Sequence, residues 1–399
     1  MDLLIIAPND FDALKRKSVL HQYENYREGG YFTKVISLFP FTRHNVYTEI
    51  DRNKIFYQYG WMRKSNSFIE KFFGTWIILW KLLFVFPWVF KKFDIQIIRA
   101  TDPYMSGLVG LFYAKLFDIP LVISVHSDYD AGAKSGGHTF KLLGSRKLAK
   151  IIERFVYTHC FKILPISFYI KNIIHTAYPL LKSEKFAKFP HGIDVKDFDD
   201  TDFIDIREAF GLDKTKKMIC YVARLSKEKN CLDIPEIINS LAQYRNDFIF
   251  LIIGDGPEHK RIEDEIKQKG LSSLVAMIGF QNRKIVYNAK KSADVNLCLL
   301  DGYSLIEAAL STKPVVAYDT EWHSELIEND STGYLVKEHD VQSMANKINL
   351  ILSDQTLGKR LGDTLRTRTI EMHELHNTQE IKRNIYETVI KHFNEKDKQ

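Results

Sequence analysis

Short apolar runs of strand length alternate with segments of helix-forming composition along most of this 399-residue chain. The first half contains five such runs: LLIIAP, KVISLFP, DIQIIRA, PLVISVH and KILPIS. The second half contains six more: MICYVARL, FIFLIIGDG, LVAMIGF, DVNLCLL, PVVAYD and GYLVK. Strands that alternate with helices normally form a parallel sheet that is covered on both faces. The pattern therefore predicts an α/β fold made of two Rossmann-like domains.

The length of the chain also favours two domains, because it is too great for one ordinary core. A turn-rich, acidic stretch at 191–213 connects the two halves. We therefore place the first domain at 1–195 and the second at 196–375. The remainder, 376–399, contains TQEIKRNIYETVIKHF, an amphipathic helix that could close the second domain or cross back to the first.

Composition narrows the class of protein. The net charge is +6, and the basic residues are interspersed with acidic ones, which argues against a dedicated nucleic-acid binder. The four cysteines are scattered, with no CxxC and no spacing typical of zinc, so a reduced cytoplasm is the simpler compartment. The N-terminal run MDLLIIAPND has neither a basic region before it nor a cleavage site after it, and it is expected to be a first strand.

One segment, FFGTWIILWKLLFVFPWVF at 72–90, is nearly all apolar and is followed by Lys91 and Lys92. A membrane-spanning helix here would carry Lys81 at its centre and Pro87 inside it, and it would interrupt a domain. The alternatives are a helix that packs on the sheet and a helix whose aromatic face also lies in a membrane interface. A peripheral membrane contact through 72–90 is thus one expectation.

A strand, helix and strand follow one another in DVNLCLLDGYSLIEAALSTKPVVAYD. Ligands of parallel sheets bind outside the carboxyl ends of the strands, which is where Asp301 to Glu307 would lie. The free N–H groups of the first helical turn, from about Tyr303 to Ile306, would suit an anion. Glu307, one turn into the helix, could accept sugar hydroxyls, or it could merely complement the helix dipole.

Three other strand ends carry candidate ligand-binding residues. Arg224 and Lys229 follow MICYV and could hold a diphosphate, or they could belong to a solvated basic loop. Gly254 and Gly256 permit close backbone approach after FIFLII, although such a turn is common. Phe280 could lie beside a nucleobase, or it could be a core aromatic.

The order of VARLSKEKN, IIGDGP, IGF, DGYSLIEAALSTKPVVAYD and SELIENDSTGYLV resembles the second domain of the family 4 glycosyltransferases of the GT-B fold. The resemblance implies two Rossmann-like domains that face each other across a cleft. It implies that Arg224 and Lys229 neutralise the diphosphate of a nucleotide-sugar and that Glu307 binds the ribose. It also implies phosphate contacts from the N–H groups of Tyr303, Ser304 and Leu305, with Phe280, Gly254 and Gly256 completing the donor site.

The chain departs from the family pattern at the start of this helix. Members usually carry two glutamates separated by seven residues, and Leu299 occupies the place of the first. Asp301 is the nearest acid and is the expected substitute. In the first domain, HSDYD resembles the family's strand-end histidine, so His126 is expected to contact the donor sugar, the alternative being a structural histidine. The first loop lacks a glycine pair and offers Lys15, Arg16 and Lys17 for an anionic acceptor.

The expected activity is transfer of a hexose-type sugar from a nucleoside diphosphate to a glycan or lipid-linked acceptor in cell-envelope polysaccharide synthesis. The resemblance implies retention of configuration without a metal or a cofactor, with Arg224, Lys229, His126 and Asp301 nearest the chemistry. The alternatives are a nucleotide-sugar epimerase of the same fold and a weakly catalytic binding partner in an assembly complex. The enzyme would be cytoplasmic, at the inner face of the membrane if the aromatic segment binds there.

Overall fold

The computed structural model describes residues 1–8, 28–42, 46–51, 54–60, 80–134 and 145–396. The chain forms two compact units. Unit 1 comprises Met1–Pro190 together with Gln379–Gln399, and unit 2 comprises His191–Thr378. The domain bounds of 195 and 375 stay predictions.

Unit 1 is built on a seven-stranded sheet in the order β3-β4-β2-β1-β5-β6-β7. The strands are β1 (Asp2–Ile6), β2 (Lys34–Thr42), β3 (Val46–Asp51), β4 (Lys54–Gly60), β5 (Ile95–Ala100), β6 (Leu121–Val125) and β7 (Lys162–Pro165). All neighbouring pairs run parallel except β3 and β4, which are antiparallel at one edge. The carboxyl ends of the parallel strands therefore share one edge of the sheet, where ligands of such folds bind.

Helices cover both faces of this sheet. They are α1 (Pro87–Lys92), preceded by a π-helical turn at Lys81–Val85, α2 (Met105–Phe117), α3 (Tyr129–Lys134), α4 (Arg146–His159) and α5 (Phe168–Ala177). On one face, α1, α2, α4 and α5 bury apolar side chains against the strands. On the other face lies the last helix of the chain, α15 (Leu375–Lys396), whose Tyr386 and Val389 are fully buried beside Leu3, Ile97 and Val122.

Unit 2 is built on a six-stranded, wholly parallel sheet in the order β10-β9-β8-β11-β12-β13. The strands are β8 (Lys217–Val222), β9 (Phe248–Ile253), β10 (Val275–Met277), β11 (Val295–Cys298), β12 (Val315–Tyr318) and β13 (Tyr334–Val336). The helices up to the middle of the unit are α6 (Val195–Asp199), α7 (Ile206–Ala209), α8 (Ile234–Ala242), α9 (His259–Gln268) and α10 (Arg283–Ser292). The later ones are α11 (Tyr303–Leu310), α12 (His323–Leu326), α13 (Val341–Ser353) and α14 (Gln355–His373), and only the first four residues of α15 belong to this unit. Apolar cores lie on both faces of this sheet.

The predicted α/β architecture of two Rossmann-like units is confirmed, and all eleven apolar runs contain a strand. Strands β3 and β4 contain no such run and were not predicted. In the aromatic segment at 72–90, residues 72–79, which include Trp76, lie outside the described residues. Among the residues that are described, no helix combines the length and apolarity needed to cross a membrane.

Candidate functional site

The turn between β11 and α11 is the centre of the candidate site. Gly302 precedes the helix, and no side chain caps its first turn. The Leu305 N–H donates to the Gly302 carbonyl over 3.2 Å, so the expected set of free N–H groups is smaller by one. The Leu305 side chain is fully buried, which leaves only its backbone for ligand contacts. This uncapped turn carries the positive end of the helix dipole.

A buried lysine that the sequence analysis missed holds this turn in place. Lys290, in the last turn of α10, has a side chain that is only 2% exposed. Its Nζ donates to the Ser304 carbonyl at 2.8 Å, to Ser304 Oγ at 2.9 Å and to Glu307 Oε2 at 2.7 Å. Because an ammonium has three N–H donors, all of them are used. Ser304 Oγ in turn donates to the Val222 carbonyl at the end of β8, so one cation joins α10, α11 and β8.

Glu307 is therefore a partner in a buried ion pair. Its side chain is 14% exposed, so it does not sit on an exposed helix face as the dipole alternative required. Lys290 takes one carboxylate oxygen, and among the described residues none donates to Oε1. Burial, followed by the charge of Glu307, raises the pKa of Tyr287, which lies beside the pair. The ion pair fixes the carboxylate while leaving one oxygen for a ligand hydroxyl.

Asp301 lies at the same turn but is almost enclosed, with 3% of its surface exposed. Burial raises the pKa of its carboxyl, and electrostatic interactions with Lys229, His323 and Lys290 act in the opposite direction. Its Oδ2 has no hydrogen-bond partner among the described residues. An enclosed carboxyl of this kind favours the neutral form. Its predicted contact with the donor sugar stays a prediction.

His323 fixes the backbone of Asp301, and this residue was also missed. The ring is fully buried, with Nδ1 2.8 Å from the Tyr318 carbonyl. The other ring nitrogen, Nε2, lies 3.1 Å from the Asp301 nitrogen and 3.0 Å from the Asp301 carbonyl oxygen, so both ring nitrogens contact the backbone. Thr320 Oγ1 donates to the Leu299 carbonyl over 3.2 Å. The segment from 299 to 301 is thus held by the segment that follows β12.

The two predicted diphosphate cations are held differently. Lys229 is partly buried, and its Nζ donates to the Leu300 carbonyl over 2.8 Å, which places the ammonium at the β11–α11 turn. Arg224, on the loop after β8, is 66% exposed and lies 3.6 Å from Glu228 Oε1. An exposed pair of this kind is weak, so the guanidinium is available to an incoming anion.

Gly254 and Gly256 are required by the packing of two loops. Gly254 has φ of +137°, and a Cβ there would lie 1.9 Å from the Ala223 carbonyl oxygen. A Cβ at Gly256 would lie 2.3 Å from the Leu225 carbonyl oxygen. The glycines let the turn after β9 lie directly against the loop that carries Arg224. This packing accounts for both residues, and their contact with the donor stays a prediction.

The remaining predicted residues lie in three settings. Phe280 is 70% exposed, so it is not a core aromatic. Tyr303 donates from its hydroxyl to the Gly192 carbonyl over 3.1 Å, and burial raises the pKa of its phenol. His126, in unit 1, is exposed at the end of β6 with Nε2 3.1 Å from Ser124 Oγ. Lys15, Arg16 and Lys17 lie outside the described residues.

The structure thus brings Lys229, Asp301, Ser304 and Glu307 to one turn, around the unpredicted Lys290 and His323. Lys290 lies in the sequence NAKKSAD, where two adjacent lysines are typical of a solvated helix end. Within the part of the chain that the structure describes, no group of three or more His, Cys, Asp or Glu could hold a metal ion. The arrangement is one of cations and a helix end, suited to a diphosphate.

Comparisons with known proteins show the family and the fold. The Glycosyltransferase Family 4 model matches residues 36–197, and the Glycosyl transferases group 1 model matches residues 202–368. A structure of Alr3699/HepE from Anabaena in complex with UDP superposes with a TM-score of 0.73 and 16% identity, covering 98% of this chain and 99% of that one. At that identity the likeness shows the fold alone.

Two curated relatives are similar in sequence over parts of the chain. Poly(ribitol-phosphate) alpha-N-acetylglucosaminyltransferase of Staphylococcus aureus is 27% identical over 176 residues, which is 43% of this chain and 36% of that protein. Alpha-monoglucosyldiacylglycerol synthase of Acholeplasma laidlawii is 24% identical over 277 residues, which is 65% of this chain and 68% of that protein. The chain therefore spans only about a third of the length of the first.

Proposed function

This chain is a GT-B glycosyltransferase, with a Glycosyltransferase Family 4 first half and a Glycosyl transferases group 1 second half, and from that premise we propose its reaction. It transfers a hexose-type sugar from a nucleoside diphosphate to a glycan or lipid-linked acceptor in cell-envelope polysaccharide synthesis. The observation that carries this proposal is the β11–α11 turn. There an uncapped helix end, the Lys229 ammonium and a carboxylate with one free oxygen lie together.

Each part of the turn has a role in the proposal. The helix end and Lys229 bind the diphosphate, and Arg224 moves from Glu228 to the same anion. Glu307 Oε1 accepts from ribose hydroxyls while Lys290 holds Oε2. Phe280, exposed after β10, lies by the base. A nucleoside diphosphate donor is supported by the Anabaena protein of the same fold, which was solved with UDP.

The positive groups would also promote the reaction. Negative charge accumulates on the diphosphate as its bond to the sugar breaks, and preorganised cations stabilise that charge. The acceptor hydroxyl attacks the anomeric carbon, and its proton passes to the departing diphosphate. In the proposal the attack occurs on the face that the diphosphate leaves, so configuration is retained. The neutral form of Asp301, which burial favours, would be a hydrogen-bond donor and not a base.

The acceptor in the proposal is an envelope component, and the relatives support that class. One relative is named for poly(ribitol-phosphate) and another for a diacylglycerol glycolipid. The described part of the aromatic segment exposes Trp80, Phe84 and Trp88, with Lys91 and Lys92 directly after it. Aromatic rings beside lysines favour a membrane interface. We therefore place the enzyme in the cytoplasm, at the inner face of the membrane.

Titration of the purified protein with nucleotide-sugars, followed by assays of nucleoside diphosphate release, tests the proposal. We expect saturable binding of one nucleotide-sugar and release that rises strongly when membrane extract supplies an acceptor. Conversion of the nucleotide-sugar without any release would instead identify an epimerase. Binding without release or conversion, under every acceptor condition, would identify a binding partner.

A further inference from the structure

Exposed apolar side chains are concentrated on three helical segments of unit 1. These segments are residues 80–92, which contain the π-helical turn and α1, together with α2 and α4. They carry nine of the seventeen large apolar side chains that are exposed among the described residues, whereas unit 2 carries four. The nine are Trp80, Leu83, Phe84, Trp88, Phe112, Leu116, Leu148, Ile151 and Phe155.

The three segments lie side by side on one face of the sheet. The Phe90 ring stacks on Phe117 at 4.1 Å between centroids, which joins α1 to α2. The Lys115 Nζ lies 6.0 Å from the Phe155 ring centroid, which joins α2 to α4. All three segments bury their inner side chains in the same core against the strands. Their exposed side chains therefore form the outer surface of a single helical layer.

The charged side chains of these three segments are mostly basic, although Arg146 and Lys150 pair with Asp130 of α3 at 3.3 Å and 2.6 Å. The segments contain eight basic side chains: Lys81, Lys91, Lys92, Lys115, Arg146, Lys147, Lys150 and Arg154. Their one acidic residue, Glu153, is buried, and it accepts from Tyr104 at 3.1 Å and pairs with Lys150 at 2.8 Å. No carboxylate on the three segments therefore reaches the outer surface. Lys92 lies 4.9 Å from the Trp88 ring centroid, an arrangement in which an ammonium stays near an interfacial ring.

We propose that the outer face of this layer docks on a bilayer that contains anionic lipid. This docking rests on the proposed function for its lipid-linked acceptor. It extends the membrane-binding surface from the aromatic segment to α2 and α4. Separate rings and aliphatic side chains among lysines and arginines can enter the headgroup region one by one, while the cations meet lipid phosphates. Ile151 is 66% exposed and Phe84 is 69% exposed, so both project freely.

Sedimentation of the full chain with vesicles tests the proposal, and substitutions in α4 alone separate it from the segment at 80–92. Vesicles of equal parts phosphatidylglycerol and phosphatidylcholine are compared with phosphatidylcholine alone at low salt. One variant combines Lys147→Glu with Arg154→Glu, and a second combines Ile151→Ser with Phe155→Ser. The control combines Lys359→Glu with Leu350→Ser, exposed positions of unit 2.

The wild type and the control should bind the anionic vesicles and stay in solution with phosphatidylcholine. The charge-reversal variant should lose at least about tenfold in partition, because a basic side chain near such a surface contributes about fivefold. The serine variant should also partition less, because it removes two exposed apolar side chains from the interface. The charge-reversal variant alters only exposed positions, so its circular dichroism should be unchanged.

Wild-type binding that α4 substitution leaves intact, or equal binding to both vesicles, overturns the proposal. The proposal also fails if the wild type does not bind the vesicles, even if it captures an acidic protein instead. Nucleotide-sugar binding is measured on the same samples and judges the proposed function separately. A protein that binds the donor but not vesicles disproves the docking surface alone, and the reverse result disproves the function alone.

Discussion

At the scale of single residues, Arg224 and Lys229 should both act on the leaving diphosphate although they are held differently. Replacing either by alanine should lower transfer by about two orders of magnitude, roughly 3 kcal/mol of transition-state stabilisation, while the fold persists. Steady-state assays of nucleoside diphosphate release measure this. Lys227→Ala, an exposed position of the same loop, is the control. Wild-type turnover in the Arg224→Ala or the Lys229→Ala protein would show that the replaced residue does not act on the diphosphate.

A substitution at Glu307 tests the proposed contact between this carboxylate and the ribose. Glu307→Gln keeps the shape of the side chain and removes its charge, so it should weaken nucleotide binding by about 1.5–3 kcal/mol. Calorimetry with the nucleoside diphosphate measures the change, and Glu371→Gln, on an exposed part of α14, serves as control. Unchanged affinity together with a lowered melting temperature would mean that Glu307 serves only the ion pair with Lys290.

The buried carboxyl of Asp301 should make the stability of the folded protein depend on pH. Burial raises the pKa of this carboxyl in the folded state. Its neutral form is therefore compatible with folding below the unfolded pKa of about 3.9, and stability is lost as pH rises through the higher folded value. Asp301→Asn stays neutral, so its gain in melting temperature over the wild type should grow as the pH rises above the unfolded pKa of about 3.9.

Thermal melts at several pH values check this expectation for Asp301. Asp202 is a suitable control because its pKa is lowered, first by the hydrogen bond from Lys284. Asp202→Asn should therefore show no gain that grows with pH. A difference between Asp301→Asn and the wild type that does not change with pH would show that folding does not raise the pKa of this carboxyl.

At the scale of helices, the contact between α10 and α11 depends on Lys290. Lys290→Met leaves the largely buried Glu307 carboxylate without its cation and should cost about 3–5 kcal/mol. Adding Glu307→Leu should recover much of that loss, because the two positions are coupled. Urea unfolding measures both. Lys284→Met, on the same helix but in an exposed pair, should change stability by about 0.5 kcal/mol or less. A Lys290→Met protein of wild-type stability would show that Lys290 does not hold α10 and α11 together.

The elements that the sequence predicted were those whose pattern is local. Parallel strands buried on both faces are continuous apolar runs, and the strands with such a run were all found. The edge strand β3 was not, because its Tyr47 and Glu49 are exposed and its sequence is half polar. Strand β4, KIFYQYG, is not a continuous apolar run either. Lys290 and His323 escaped for a related reason. Their burial depends on α11 packing over α10 and on the segment after β12, which sequence spacing does not show.

At the scale of the whole molecule, unit 2 should be self-sufficient for donor binding. Arg224, Lys229, Lys290 and Glu307 all lie within it, and its own helices cover both faces of its sheet. A protein made of residues 191–378 alone should therefore fold and bind nucleoside diphosphate with an affinity close to that of the full chain. Calorimetry on this fragment checks the expectation, with Glu307→Gln in the same fragment as control. A folded fragment without affinity would show that unit 1 contributes essential donor contacts.

Unit 1 is made of two separate stretches of chain, and this has a consequence during protein synthesis. Tyr386 and Val389 complete one face of its core, yet they follow the 188 residues of unit 2 along the chain. At roughly 5–20 residues per second, a ribosome needs about 10–40 s to translate that insertion. Through this interval Leu3, Ile97 and Val122 lack the helix that covers them. Chaperones should therefore engage the nascent chain at this sheet face, and unit 2 should complete its folding before unit 1 does.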